Sequence, residues 1–380
     1  MTSPSSERII IADTGDVIFT LRNPGAPFAV WDQAVEENSE IQDPEDEHKD
    51  EPLNDATSDT CADDLNQPVP RQAALPDVVY QVSSQHLVCA SPKFKSELTS
   101  WSESLKRDDG LYHVNTTDWD PEAFGILLNV LHLRFRQVPK SLGLELLAKI
   151  AILVDYYRCW EAFDLIADVW ITHLRAKCSV PETYSRDLML WILISWVFKL
   201  EGEFNESTFW ASIKSDEPIL RNMELSIPPA ILRGIETCRS ELIEGAIDVC
   251  QGWFDKFCSG YCCIQDEKCS FECGSMLLGA LTRQMNNMAI LSPRPTAPYA
   301  GLSFAELRYG IKSIKAPDLH IRYERRSRSP EYRKHPCSLD AVIREVNQVY
   351  KRADGLRLRE FVDRAESTTD IVSRHSELQR

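Results

Sequence analysis

Glycine is scarce in this chain, fifteen in 380 residues, and no two glycines are spaced as Gly-x-Gly. That excludes the dinucleotide fingerprint, whose glycines let the backbone turn tightly against a pyrophosphate. Gly274 and Gly279 have the spacing of a phosphate loop, but Ala280 and Leu281 follow where Lys and Ser or Thr are required. There is no Gly-x-Ser-x-Gly, and no two histidines stand four residues apart, so a helical zinc-protease motif is missing as well. Long hydrophobic runs are also absent. The longest, Leu188–Phe198, covers eleven residues and is interrupted by Ser195, whereas a bilayer span needs about 20. The first residues, MTSPSSERII, carry neither the basic start nor the apolar block of a secretory signal. These absences lead to the expectation of a protein that is not an enzyme, not transmembrane and not secreted, and that works inside the cell, in cytoplasm or nucleus.

Positive charge is short too: 42 Lys and Arg face 58 Asp and Glu, for a net charge of −16. The surplus is local. Between Asp32 and Pro70 fourteen Asp or Glu stand against one Lys, which accounts for −13 of the −16. The rest of the chain is nearly neutral and shows no basic face, so a nucleic-acid partner is not expected. Residues 32–76 are acidic, poor in aromatics and punctuated by Pro44, Pro52, Pro68, Pro70 and Pro76. Such a composition cannot bury enough apolar surface to order itself, and the segment reads as a disordered insertion. Loop-closure entropy rises by only about 0.6 kcal/mol per doubling of length. Lengthening a hairpin loop roughly tenfold therefore costs about 2 kcal/mol, which a packed domain absorbs.

What is present is a run of strand and helix signals. Residues 1–13 read as a frayed arm, and Gly15–Leu21 reads as a strand. Val78–Leu98, VVYQVSSQHLVCASPKFKSEL, is a short strand, a helix start and an apolar helix broken at Ser91-Pro92. Leu111–Val114 is a further short strand. Asp120 is a good helix cap with Pro121 at the first helical position, followed by a stripe of Phe124, Leu127, Leu128 and Leu131. Ser141 reads as the cap of the next helix, with Leu144, Leu147, Ala148, Ala151 and Val154 facing inward, and Glu161–Arg175 follows as another. From Tyr184 the pattern is mostly helical, with long segments at Arg186–Lys199 and Pro228–Phe257. Trp191, Trp196, Phe198, Phe204, Phe209 and Trp210 read as a helical core. Residues 292–318 are Pro-rich and loop-like, and a polar stretch containing Arg325, Arg326 and Arg328 reads as solvated loop. A last helix is expected over Ser338–Ala353, with Gly355 as its stop.

The positions Ser83, Ser84, Leu87, Ala90, Ser91, Pro92 and Phe94 follow a pattern that resembles fungal BTB/POZ proteins. The resemblance covers residues 15–22 and 78–178 and extends more weakly to about 363. It implies an α+β BTB/POZ domain, a small sheet with a helical cluster, over 14–178, with the acidic insertion looped out. It further implies a mostly α-helical region over 184–363, with a Cys-rich segment at 258–273 and a disordered tail at 364–380. Asp16 matches the family's usual acidic position. Ser83 and Ser84 stand where the wider family has a His-Lys pair, so the charged chemistry of that pocket does not carry over. The family works by protein association, which makes this chain a protein–protein interaction scaffold with homodimer formation as the expectation. The alternatives are a substrate adaptor of a cullin-type ubiquitin ligase, with a cullin as partner, and a nuclear regulatory protein with a Cys-rich zinc module.

Twelve cysteines in a chain without a secretory signal argue for thiols or metal rather than for a disulfide framework. Cys269-x3-Cys273 brackets what reads as a short turn, and His335-x-Cys337 lies about sixty residues on. Two thiolates with an imidazole and a third thiolate satisfy the four N/S ligands of a structural zinc. Cys258, Cys262 and Cys263 compete for membership. The opposing reading is a set of reduced, buried thiols, since cysteine is among the most buried residue types. His86, His113 and His132 lie in or beside apolar segments and read as structural.

Overall fold

The computed structural model describes residues 8–31, 75–100, 106–265, 267–315, 317, 320–323, 331–334 and 336–362. The acidic insertion over 32–74, the tail from 363 onward, and Arg325, Arg326, Arg328 and His335 lie outside them. A four-stranded sheet contains β1 (Arg8–Ile10), β2 (Val17–Arg22), β3 (Val78–Val82) and β4 (Tyr112–Thr117) in the order β1-β3-β2-β4. β2 and β3 are antiparallel, while β1 lies parallel to β3 and β4 parallel to β2. The expected frayed arm over 1–13 is thus corrected for Arg8–Ile10, whose backbone is held by pairing with Val79, Tyr80 and Gln81.

Strand side chains alternate, so one face of the sheet carries Val17, Phe19, Leu21, Tyr80, Val82 and Val114, all buried. Behind that face lie α1 (Ser84–Ala90), α2 (Pro92–Ser100) and α3 (Pro121–Leu131). Phe19 meets the rings of Phe94 and Phe124 edge-on, each at 5.7 Å. The Asp120 carboxylate accepts from the Ala123 amide at 3.0 Å, so the cap forms where the sequence places it. Ser141 does not cap the next helix: α4 (Leu144–Tyr157) starts two residues later from Gly143, without a side-chain cap. Arg158, with φ of +52°, turns the chain from α4 into α5 (Trp160–Arg175).

α6 (Arg186–Val197) is buried at every position from Leu188 to Val197. A helix that is apolar all round belongs inside a core, and α6 packs against α4 and α7 (Glu201–Lys214). The 32-residue α8 (Pro229–Gly260) runs on into a second group of helices, α9 (Ser270–Asn287), α10 (Phe304–Lys312) and α11 (Asp340–Arg352). α10 corrects the loop expected over 292–318. The Ser303 hydroxyl accepts from the Glu306 amide at 3.2 Å, a capping pattern present in the sequence. The stretch His320–Tyr323 and Glu331–Lys334 forms an antiparallel pair, β5 and β6, where a solvated loop was expected.

Two apolar cores result. The first joins the sheet and α1–α7 with Ile231 and Ile235 of α8; the second takes Ile213 near the end of α7 and α8 from Ile243 onward, with α9, α10 and α11. Along α8 the two clusters meet between Ile235 and Ile243. Gly355 lies three residues past the end of α11. A Cβ there would stand 1.8 Å from the Asn205 carbonyl oxygen, so the close approach of two backbones, more than a helix stop, requires glycine.

Candidate metal centre

The second core gathers cysteines at the end of α8. Gly260 takes φ of +146°, which suits a residue without Cβ, and turns the chain out of the helix. The turn carries Tyr261, Cys262 and Cys263 back toward α9. The Cys263 amide donates to the Ser270 hydroxyl at 3.0 Å, tying the turn to the first residue of α9. Cys273 lies one turn into α9, and Cys337 lies just before α11. Gly274 lets Tyr261 pack closely, since a Cβ there would sit 3.2 Å from that of Tyr261.

Cys263, Cys273 and Cys337 are all buried, and their sulfurs lie within 4.8 Å of one another. Cys337 donates to Cys263 at 3.8 Å, and the Tyr261 hydroxyl donates to the Cys337 sulfur at 3.1 Å. Burial pushes the Cys273 thiol up to about 12, reinforced by its neighbours Cys263 and Cys337. Burial likewise holds Tyr261 above its ordinary value, with the Cys337 sulfur adding to the effect. Two thiolates cannot stand side by side in a dry pocket without a cation, so in the unliganded cluster Cys273 is a neutral thiol. A thiolate-preferring ion could be held here by displacing protons.

Of the residues the sequence singles out, Cys273 and Cys337 come together. Cys269 does not join them. It sits at the N-cap of α9, because Cys269-x3-Cys273 is a helix start and not the short turn expected. Cys263 takes its place, while Cys258 and Cys262 are exposed and outside the trio. His335 lies outside the described residues. The signal for Cys263 was weak, because nothing in its spacing shows how Gly260 redirects the chain.

His132 is bound into the backbone. His132 Nε2 accepts from the Ser83 amide at 3.0 Å, which leaves Nδ1–H to donate to the Leu128 carbonyl at 2.8 Å. Burial depresses its pKa below 6.5, and the neighbouring His86 adds to that. Asp16 accepts from both the amide and the hydroxyl of Ser84, at 2.8 Å each. Burial alone would raise this carboxyl, but the two hydrogen bonds hold it below its usual range. Asp16 and His132 thus satisfy the first amides of α1, whose cap residue Ser83 contributes no side-chain bond.

Among the described residues no helix is long and apolar enough to cross a membrane. Comparison with protein-family models, with curated proteins and with solved structures finds no match to this chain.

Proposed function

We propose that this chain is a non-enzymatic interaction scaffold, of the BTB/POZ type its sequence resembles, which associates with a second copy of itself along the β1 edge. The observation that carries this reading is the apolar rim there. Among the described residues β1 is an edge strand, and such edges present unpaired backbone groups to any incoming strand. Its Ile9 and Ile10 are 45% and 51% exposed, and Leu133 and Phe135 are 69% and 50% exposed. Arg134 joins the two pairs, donating to the carbonyls of Ile10 and Ile11 at 3.1 and 3.2 Å. Leu133 is moreover held at φ of +58°, a costly conformation for a bulky residue. A rim that combines strain, exposed apolar groups and an open edge suits a two-fold, self-complementary contact. A structural zinc in the second core belongs to the same scaffold but not to this surface.

Light scattering across micromolar concentrations tests the reading. The native chain should give a dimer mass, and joint Ile10→Asp and Phe135→Asp substitution should give a monomer with unchanged thermal unfolding of the first core. A strictly monomeric native chain would refute self-association, and added cullin co-eluting with that monomer would favour the adaptor role instead.

A further inference from the structure

We infer that Cys263, Cys273 and Cys337 bind one zinc ion as thiolates, with the Tyr261 hydroxyl orienting the Cys337 sulfur. The inference does not depend on self-association of the first core. Three separate segments deliver the sulfurs: the turn after α8, the first turn of α9 and the approach to α11. A zinc–sulfur bond is about 2.3 Å, which at tetrahedral angles places two sulfurs about 3.8 Å apart. Cys263 and Cys337 stand at 3.8 Å, and all three sulfurs fall within 4.8 Å, so closing on the ion needs only small movements.

Buried cysteines elsewhere in the chain behave differently. Burial alone raises the thiol of Cys250, and no other cysteine contributes; it fills the core as a small apolar group. In the trio each sulfur faces the other two, an arrangement that is unfavourable for thiolates until a cation arrives. Binding then replaces three thiol protons, which leave to solvent, with one divalent ion and three metal–sulfur bonds. Soft sulfur donors select zinc over magnesium or calcium, which take oxygen. The Tyr261 hydroxyl, already aimed at Cys337, becomes a charge-assisted donor to a thiolate.

Metal analysis of the full chain, purified without added zinc and then dialysed against equimolar zinc, should give close to one equivalent. Cys263→Ser and Cys337→Ser should each lose it, and Cys269→Ser should keep it. Tyr261→Phe should retain the ion with affinity lowered about 10- to 100-fold. Alkylation of the native chain guards against variants that fail to fold: Cys263, Cys273 and Cys337 should be protected with zinc present and modified after chelation, while Cys258 and Cys262 react in both cases. Zinc content near zero, full retention in Cys263→Ser, or alkylation of the trio that zinc does not change would overturn the assignment.

Discussion

Beneath the sheet the first core is filled with large rings, among them Phe19, Phe94, Phe124, Tyr157, Phe163, Trp170 and Trp191, all fully buried. The second core, around α8–α11, contains four buried thiols, Cys250, Cys263, Cys273 and Cys337, against one, Cys159, in the first. The difference extends to how chain outside the helices is held. In the first core, the tight turn at Arg158 joins α4 and α5, which pack on one another. In the second, the stretch between α9 and α10 is fastened by Arg239, which is 1% exposed. Its guanidinium donates to the carbonyls of Ser215, Pro298, Tyr299 and Leu302 at 2.6–2.8 Å. Buried carbonyls need partners, and here one side chain serves two of them, Ser215 and Tyr299, and two part-buried ones, Pro298 and Leu302. The comparison teaches that large rings fill the first core, while the second, an apolar cluster of mostly aliphatic side chains, adds point anchors, a guanidinium and a thiol trio.

Substitutions should separate the two regimes. Phe124→Ala removes a ring that meets Phe19, Tyr80 and Tyr157 and should cost about 3–5 kcal/mol, read by denaturant unfolding of the first core. Arg239→Lys keeps charge and most of the volume but cannot reach four carbonyls from one ammonium. It should cost about 2–3 kcal/mol, since each bared carbonyl loses about 1–3 kcal/mol and water recovers part. That loss should appear in the second core's transition; an equal loss in both would contradict the division.

The first half has a pH-sensitive contact at the start of α1. His132 is neutral there, and a proton on Nε2 would oppose the Ser83 amide. Because the folded pKa lies below the ordinary 6.5, the unfolded chain takes up the proton first. The stabilisation is complete above pH 6.5 and is lost as pH falls from there toward the folded value. His132→Gln should flatten that part of the stability profile, the smallest of these effects, and an unchanged slope would remove His132 as its source.

Much of the first half was legible in the sequence because its signals are local. Asp120 with Pro121, the stripe from Phe124 to Leu131 and the alternation in Val17–Leu21 each act within one element. β1 escaped because three residues, Arg8–Ile10, show no periodicity and are strand only through pairing with β3. The candidate site was half legible. Cys273 and Cys337 could be named from burial-prone thiols at suggestive spacing, but Cys263 replaces Cys269 through a turn at Gly260 that no pattern encodes. α10 was missed although Ser303 and Glu306 spell its cap, because neighbouring prolines outweighed that signal.

Hydrogen exchange on the full chain with and without a zinc chelator tests most directly whether the halves are held differently. Chelation should strip protection from the amides of α9 and of Asp340–Arg352, and leave β2, β3 and α3–α6 as slow as before. Protection that is unchanged in both halves, or lost equally in both, would contradict the account.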